Sequence, residues 1–306
     1  MENRNTLTAL QTAPRIPELS QYLASLDVAP TTTESYARKT SAFIDWIRSQ
    51  GIDQPTAGTI LQYKRDLIDR GLSPYTVAVY LSAVRRFFSW TESEGIYPDI
   101  SRQIKAPKTR RGHNRDPLPL AHVQRLLAAP KDDREAALLS LLFTTGLRTI
   151  EVIRADVADL RRRGDREVLY VQGKGRTSKD EFVVLPEVTA EALRRYIFNR
   201  GALSPTDPLI AGAGNRNHGG RITTRQLRRI ISDAFHRQGI GGPTISAHST
   251  RHTAVTLALT AGASIQEAQA MARHANIATT MIYSHNLDRL KAGTEDRIAG
   301  AIYEQK

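Results

Sequence analysis

Apolar residues recur at helical spacing through most of the first hundred positions. Tyr36, Phe43, Ile44 and Ile47 fall on one face of a helix. Thr31-Thr32-Thr33-Glu34 would open that helix with a hydroxyl cap and a nearby acid, and Gly51 would close it. Pro17 to Leu26 predicts a short helix before it, and Pro55 to Arg70 a third, closed by Gly71. Ser73 and Pro74, a cap and a first-turn proline, open a fourth with the stripe Val77, Tyr80, Leu81, Val84, Phe87 and Phe88, ended by Gly95. The aromatics on these stripes are read as core.

The second half mixes periods. Leu120 to Ala129 and Asp133 to Thr145 predict helices, the latter apolar enough to be buried, with Gly146 as its stop. Val157 to Leu160, Glu167 to Gln172 and Glu181 to Leu185 predict short strands. Glu187 to Arg200, Thr223 to Gln238, the segment around His248 to His252, and Ser264 to Arg273 predict further helices. Ala275 to Ile282 predicts a turn and a small helix, and Leu287 to Ile302 a last amphipathic helix. The fold class is mainly α with a small antiparallel sheet, a helical unit followed by a mixed α/β one.

Charge narrows the partner. The 306 residues carry a formal net charge of +12, which favours an acidic polymer, nucleic acid first. From Arg102 to Arg115 the chain holds six basic residues and no acid, between prolines at 98, 107 and 117. Such a segment reads as a connector that does not bury itself and lies along a phosphate backbone. In the helical unit Arg38, Lys39, Arg48, Lys64, Arg85 and Arg86 lie mostly off the apolar stripes, as a solvated face or as phosphate contacts. Arg225, Arg228, Arg229 and Arg237 stud a later helix in the same way. The chain has no cysteine, so disulfides and thiolate metal sites are excluded. With no signal-type apolar core at the start and no long apolar run, no membrane association is expected, and a cytoplasmic protein is.

The chemistry concentrates between Ala247 and His285. His248 and Arg251 are three apart and would share a helix face; His274 follows, and Tyr283 comes nine residues after it. Upstream, Thr145-Gly146-Leu147-Arg148-Thr149-Ile150-Glu151 sets an arginine at a tight turn, with Glu151 placed to orient it or cap the turn. Two guanidinium forks can neutralise a pentacoordinate phosphorane, and a tyrosine with a pKa of about 10 needs such a field to attack. His248 and His274 can donate hydrogen bonds or accept the tyrosine proton. His248 and His252, four apart, have the spacing of a zinc pair but not the H-E-x-x-H form, and no Asp/Glu cluster has metal spacing, so neither metal nor cofactor is expected. The loop Gly173-Lys174-Gly175 lacks the spacing of a nucleotide-binding loop and reads as a hairpin tip that carries a lysine into a groove.

This ordered set, with the pattern YLSAVRRFFSW upstream, resembles the tyrosine recombinases, the phage integrases and Xer-type enzymes, over about residues 15–290. The resemblance implies an arm at 1–14, a helical core-binding domain at 15–97, a basic linker at 98–117, a catalytic domain at 118–285 and a C-terminal helix at 286–306 that docks on a neighbouring subunit. It implies a C-shaped clamp on double-stranded DNA, acting as a homo-tetramer on paired sites or in a hetero-assembly with a related recombinase. It assigns Arg148, Lys174, His248, Arg251, His274 and Tyr283 as catalytic, Tyr283 forming a 3′-phosphotyrosine and the hairpin lysine protonating the departing 5′-oxygen. Because the loop is longer than the usual form, Lys179 stands as the alternative lysine. Arg273 departs from the pattern, which has glycine before the histidine. A type IB topoisomerase and a non-catalytic DNA-binding protein of the same fold are the rival readings.

Overall fold

The structure, a computed structural model, describes residues 19–108, 116–173, 175–213, 218–292 and 294–303, the side chains at 285–295 and 300 excepted. The chain divides into two compact units, Met1–Gly112 and His113–Lys306.

The first unit is a bundle of α1 (Leu19–Ala24), α2 (Pro30–Ser49), α3 (Ala57–Asp69) and α4 (Pro74–Ser93). Its core is the set of apolar stripes: Phe43, Tyr63, Phe87 and Phe88 are fully buried and meet edge to face at 5.1–5.9 Å. Ser73 caps α4 by accepting the Thr76 N–H at 3.2 Å. The start of α2 differs from expectation. Pro30 takes the first helical position behind Ala29, with no side-chain cap, because its fixed φ suits that place and the threonines that follow fall inside the helix.

Two charge readings also change. Lys39 is buried, its ammonium donating to the Ser35 carbonyl at 3.3 Å and to the Ser35 hydroxyl, and burial pulls its pKa down. It does not belong to a solvated face. The connector, expected to stay unburied, folds onto this unit as far as Ile104. Tyr97 and Ile104 join the core, the Arg85 guanidinium donates to the Ile104 carbonyl, and Lys64 donates to that of Lys105 at 2.8 Å. Apolar side chains inside a basic run decide where it goes.

The second unit is centred on α6 (Asp133–Thr145), buried on nearly every side. The Asp132 carboxylate caps its start by accepting the Glu135 N–H at 2.8 Å. Gly146 ends it in the left-handed region (φ 61°), where a side chain would be strained. Against it pack α5 (Leu120–Ala128), α8 (Glu187–Asn199), α9 (Thr224–Arg237) and α10 (Ser249–Thr260); α7 (Thr149–Arg154) packs on α9, α11 (Ile265–Ala272) and α12 (Ile277–Ala292) pack on α10, and α13 (Thr294–Tyr303) follows α12. The sheet is an antiparallel meander, β1 (Leu160–Arg163), β2 (Arg166–Val171) and β3 (Glu181–Val184), in that order, with Arg163 opposite Arg166 and Val171 opposite Glu181. Where the apolar pattern predicts the first strand at Val157 to Leu160, the chain makes a 3₁₀ turn, Val157–Asp159. The Asp159 carboxylate accepts the Asp156 N–H at 2.7 Å and fixes the turn, and pairing starts only at Leu160. Tyr283 lies within the continuous α12, where a small helix and a separate tail helix were expected; the tail is divided between α12 and α13. Among the described residues no helix is long and apolar enough to cross a membrane.

Candidate active site

The end of α11 organises the site. Two of its last carbonyls, which a helix leaves without internal donors, each take an arginine. Arg251, in the first turn of α10, is 3% exposed. Its guanidinium donates to the Gly146 carbonyl at 2.6 Å and to the Ala272 carbonyl, tying the ends of α6 and α11 together. Burial, then the neighbouring Arg148 charge, lowers its pKa to about 10, so it stays cationic at neutral pH. Arg148 sits at the N-cap of α7 and donates to the Arg273 carbonyl at 3.2 Å. A guanidinium has five N–H donors, so these contacts fix both forks in place and leave donors for a phosphate.

Glu151 does both things its spacing suggested. One carboxylate oxygen accepts the Arg148 backbone N–H at 2.8 Å, and the other accepts the Arg148 guanidinium at 2.7 Å. It also accepts from the Arg273 guanidinium at 2.7 Å. The carboxylate is fully buried. Burial pushes its pKa up, but Arg273 and Arg148 outweigh that and hold it below the usual range.

Arg273 explains its own departure from the family pattern. It ends α11 at φ 52°, ψ 49°, the left-handed region that glycine enters freely and that costs another residue about 1–2 kcal/mol. In that conformation its guanidinium pairs with the buried Glu151 at 2.7 Å.

His274 follows at once. Its Nδ1 lies 2.9 Å from the hydroxyl of Thr280, a fully buried residue in the first turns of α12. Tyr283 is 6% exposed and stacks on His274 at 6.4 Å, 12° between planes. Burial raises the Tyr283 pKa to about 12, with Arg251 pulling the other way. Its hydroxyl hydrogen-bonds Nδ1 of His252, one residue past Arg251. His252 is buried and meets the exposed His248 edge to face at 4.7 Å. His248, at the N-cap of α10, is exposed, while Arg251, three residues on, is buried.

The hairpin lysines separate. Lys174 lies outside the described residues, but Gly173 before it lines a cleft of about 600 Å³ with Arg148, Arg176, Glu181, Arg273 and His274. Lys179 donates to Asp156 at 2.5 Å and to Asp159. Burial lowers its pKa, but these carboxylates outweigh it and the shift is upward. Asp180, next to Lys179 in the chain, pairs with Arg176 at 2.8 Å, and Lys179 turns to the 3₁₀ turn instead.

Arg148, Arg251, His274 and Tyr283 thus surround one helix end. Thr280 and the contact of His252 with Tyr283 were missed. The available signals were the Thr three residues before the tyrosine and the i, i+4 spacing of the two histidines, weighed only as a metal pair.

Residues 118–289 match the phage integrase family model, and residues 18–95 the family's N-terminal SAM-like domain. The chain belongs to the phage integrase family. The recombinase is 36% identical over 244 residues to the tyrosine recombinase XerD of Caulobacter vibrioides, spanning 75% of this chain and 76% of that one. It is 31% identical over 265 residues to XerC of Corynebacterium glutamicum, spanning 83% and 81%. Its fold is that of the XerH site-specific recombinase bound to a palindromic difH substrate (TM-score 0.71, 18% identity, 90% and 80% of the chains). It is also that of a lambda integrase dimer on a COC′ core site (TM-score 0.67, 18% identity, 86% and 91%). The chain is a DNA-strand-exchanging enzyme that carries out site-specific recombination, with DNA as its partner; nothing in these likenesses supports the topoisomerase or non-catalytic readings.

Proposed function

We propose that this recombinase cuts and rejoins each strand through a 3′-phosphotyrosine on Tyr283. Arg148 and Arg251 grip the scissile phosphate, with His248 and His274 as hydrogen-bond donors to it, and Lys174 protonates the departing 5′-oxygen. The observation that carries this reading is the convergence of both arginines, His274 and Tyr283 on the end of α11. The buried positive field is what a tyrosine with a raised pKa needs, and it performs the task a metal serves elsewhere. Because the phosphotyrosine keeps the bond energy, no ATP is consumed. Tyr283→Phe removes one hydroxyl; it is expected to fold and bind site DNA as the parent does while forming no covalent adduct on a nicked duplex. An adduct from that variant would refute the assignment.

Lys174 is the general acid of this reading, supported by Gly173 in the cleft and by the two carboxylates on Lys179. Replacing the bridging 5′-oxygen with sulfur gives a leaving group that needs no proton. Lys174→Ala is expected to lose cleavage by about 10²–10⁴-fold on the normal strand and to recover on the sulfur strand. Lys179→Ala should stay close to the parent on both, and sulfur rescue of that variant would reverse the assignment.

The protein acts in the cytoplasm, on paired sites, as a tetramer of its own copies or with a related recombinase; the likeness to both XerC and XerD relatives supports the second arrangement as well as the first. The C-terminal helix docks on the neighbouring subunit, a reading supported by Ile298 and Ile302 standing exposed on α13.

A further inference from the structure

We propose that His252 is the proton acceptor for Tyr283, a catalytic role on the path from the buried phenol to the surface. The inference rests on Tyr283 being the nucleophile. Its basis is the direct hydrogen bond between the Tyr283 hydroxyl and Nδ1 of His252, made where both side chains are 6% exposed. In so enclosed a place bulk water is poorly placed to take the phenol's proton, and a base must lie within hydrogen-bond reach of it. The other two histidines are placed differently. His274 offers Tyr283 the face of its ring, at 12° between planes, and its Nδ1 faces Thr280. His248 is exposed and meets the ring of His252 at 4.7 Å and 88°. The helix spacing makes this order: His248 and His252 are four apart on α10, so they stack along one side, while Arg251 between them turns to the carbonyls of Gly146 and Ala272. The result is a row of three rings, with Tyr283 hydrogen-bonded to His252 and His252 against the exposed His248.

The step balances without any added reagent. As the Tyr283 Oη–P bond forms and the P–O5′ bond breaks, the phenol proton passes to Nδ1 of neutral His252, and O5′ takes a proton from the lysine acid. His252 becomes an imidazolium beside the exposed ring of His248. In rejoining, the 5′-hydroxyl attacks phosphorus and gives its proton to the lysine, the P–Oη bond breaks, and Oη recovers its proton from His252. One imidazole serves as base in cleavage and acid in ligation.

The test measures single-turnover adduct formation on a nicked duplex cut from DNA that the parent protein protects from nuclease. His252→Ala is expected to cleave about 10²–10⁴-fold more slowly while binding the duplex as the parent does. His252→Asn keeps a hydrogen-bonding group near the Nδ1 place but no base, and should be as slow with a Tm near the parent's, which separates lost chemistry from lost packing. Placing 3,5-difluorotyrosine at 283, a more acidic phenol, should restore most of the rate to both variants, whereas a 5′-bridging sulfur should restore none. Three results overturn the proposal: a parent-like rate for His252→Ala, a faster rate, which would make His252 a latch on a resting tyrosine, or a slow rate that the acidic phenol leaves unchanged. If the parent forms no adduct, or Tyr283→Phe forms one, the assignment of the nucleophile fails instead.

Discussion

Glu151→Ala is expected to lose both stability and cleavage. The substitution removes the fully buried carboxylate that holds the Arg148 and Arg273 guanidinium groups at 2.7 Å each. Two cations are then left against each other beside Arg251, with no counter-charge. Removing one member of a buried pair costs about 3–5 kcal/mol, which for a unit of this size is a fall in Tm of roughly 10 °C. Glu151→Gln keeps the shape and one acceptor and should fall by less. A pH series checks the electrostatic part. The Glu151 pKa is depressed in the folded protein, so its contribution is complete above the unfolded carboxylate pKa of about 4.3 and is lost as pH falls through the folded value. The Tm difference between the parent and Glu151→Gln should therefore be constant near neutrality and shrink below about pH 4. A difference that grows on acidification would contradict the ion-pair account.

Arg251→Lys should retain DNA binding and lose cleavage by about 10²–10³-fold, the usual effect of removing a preorganised donor from a developing negative charge. Arg251 spans two carbonyls, Gly146 and Ala272, which a planar fork reaches and an ammonium does not. One buried carbonyl is then left without its donor, at about 1–3 kcal/mol. The variant should thus be measurably less stable by thermal melting as well as slow. Cleavage within tenfold of the parent would mean that charge alone suffices at this position.

Most of this site was readable because its signals are local. A buried apolar helix, a glycine that leaves it in the left-handed region and an arginine two residues on place Arg148 at a turn whatever surrounds it. Glu151, three residues on, caps that turn by spacing alone. The stripes of α2 and α4 give the first core for the same reason. What escaped depends on contacts distant in sequence. His252 touches Tyr283 across 31 residues, and nothing in the local pattern distinguishes that from a metal pair. Arg273 looks like a misplaced surface residue until Glu151 is found beside it, 122 residues away. Lys39 and the start of the basic connector bury although their charge predicts exposure, because a lysine stem and an apolar side chain such as Ile104 bury readily when neighbours cover them. The continuous α12 was readable in principle: no glycine or proline interrupts Ile277–Ala292, but its apolar residues form no clear stripe.

The central claim is that Tyr283 attacks the phosphate that the arginines hold. The most direct measurement traps the parent protein on a nicked duplex, digests the adduct with protease and locates the attached nucleotide by mass spectrometry. The expected result is a single modified peptide containing Tyr283, joined to the 3′-phosphate of the cleaved strand and leaving a free 5′-hydroxyl. A nucleotide on another residue, such as the exposed Tyr303 of α13, or a link through a 5′-phosphate, would contradict it.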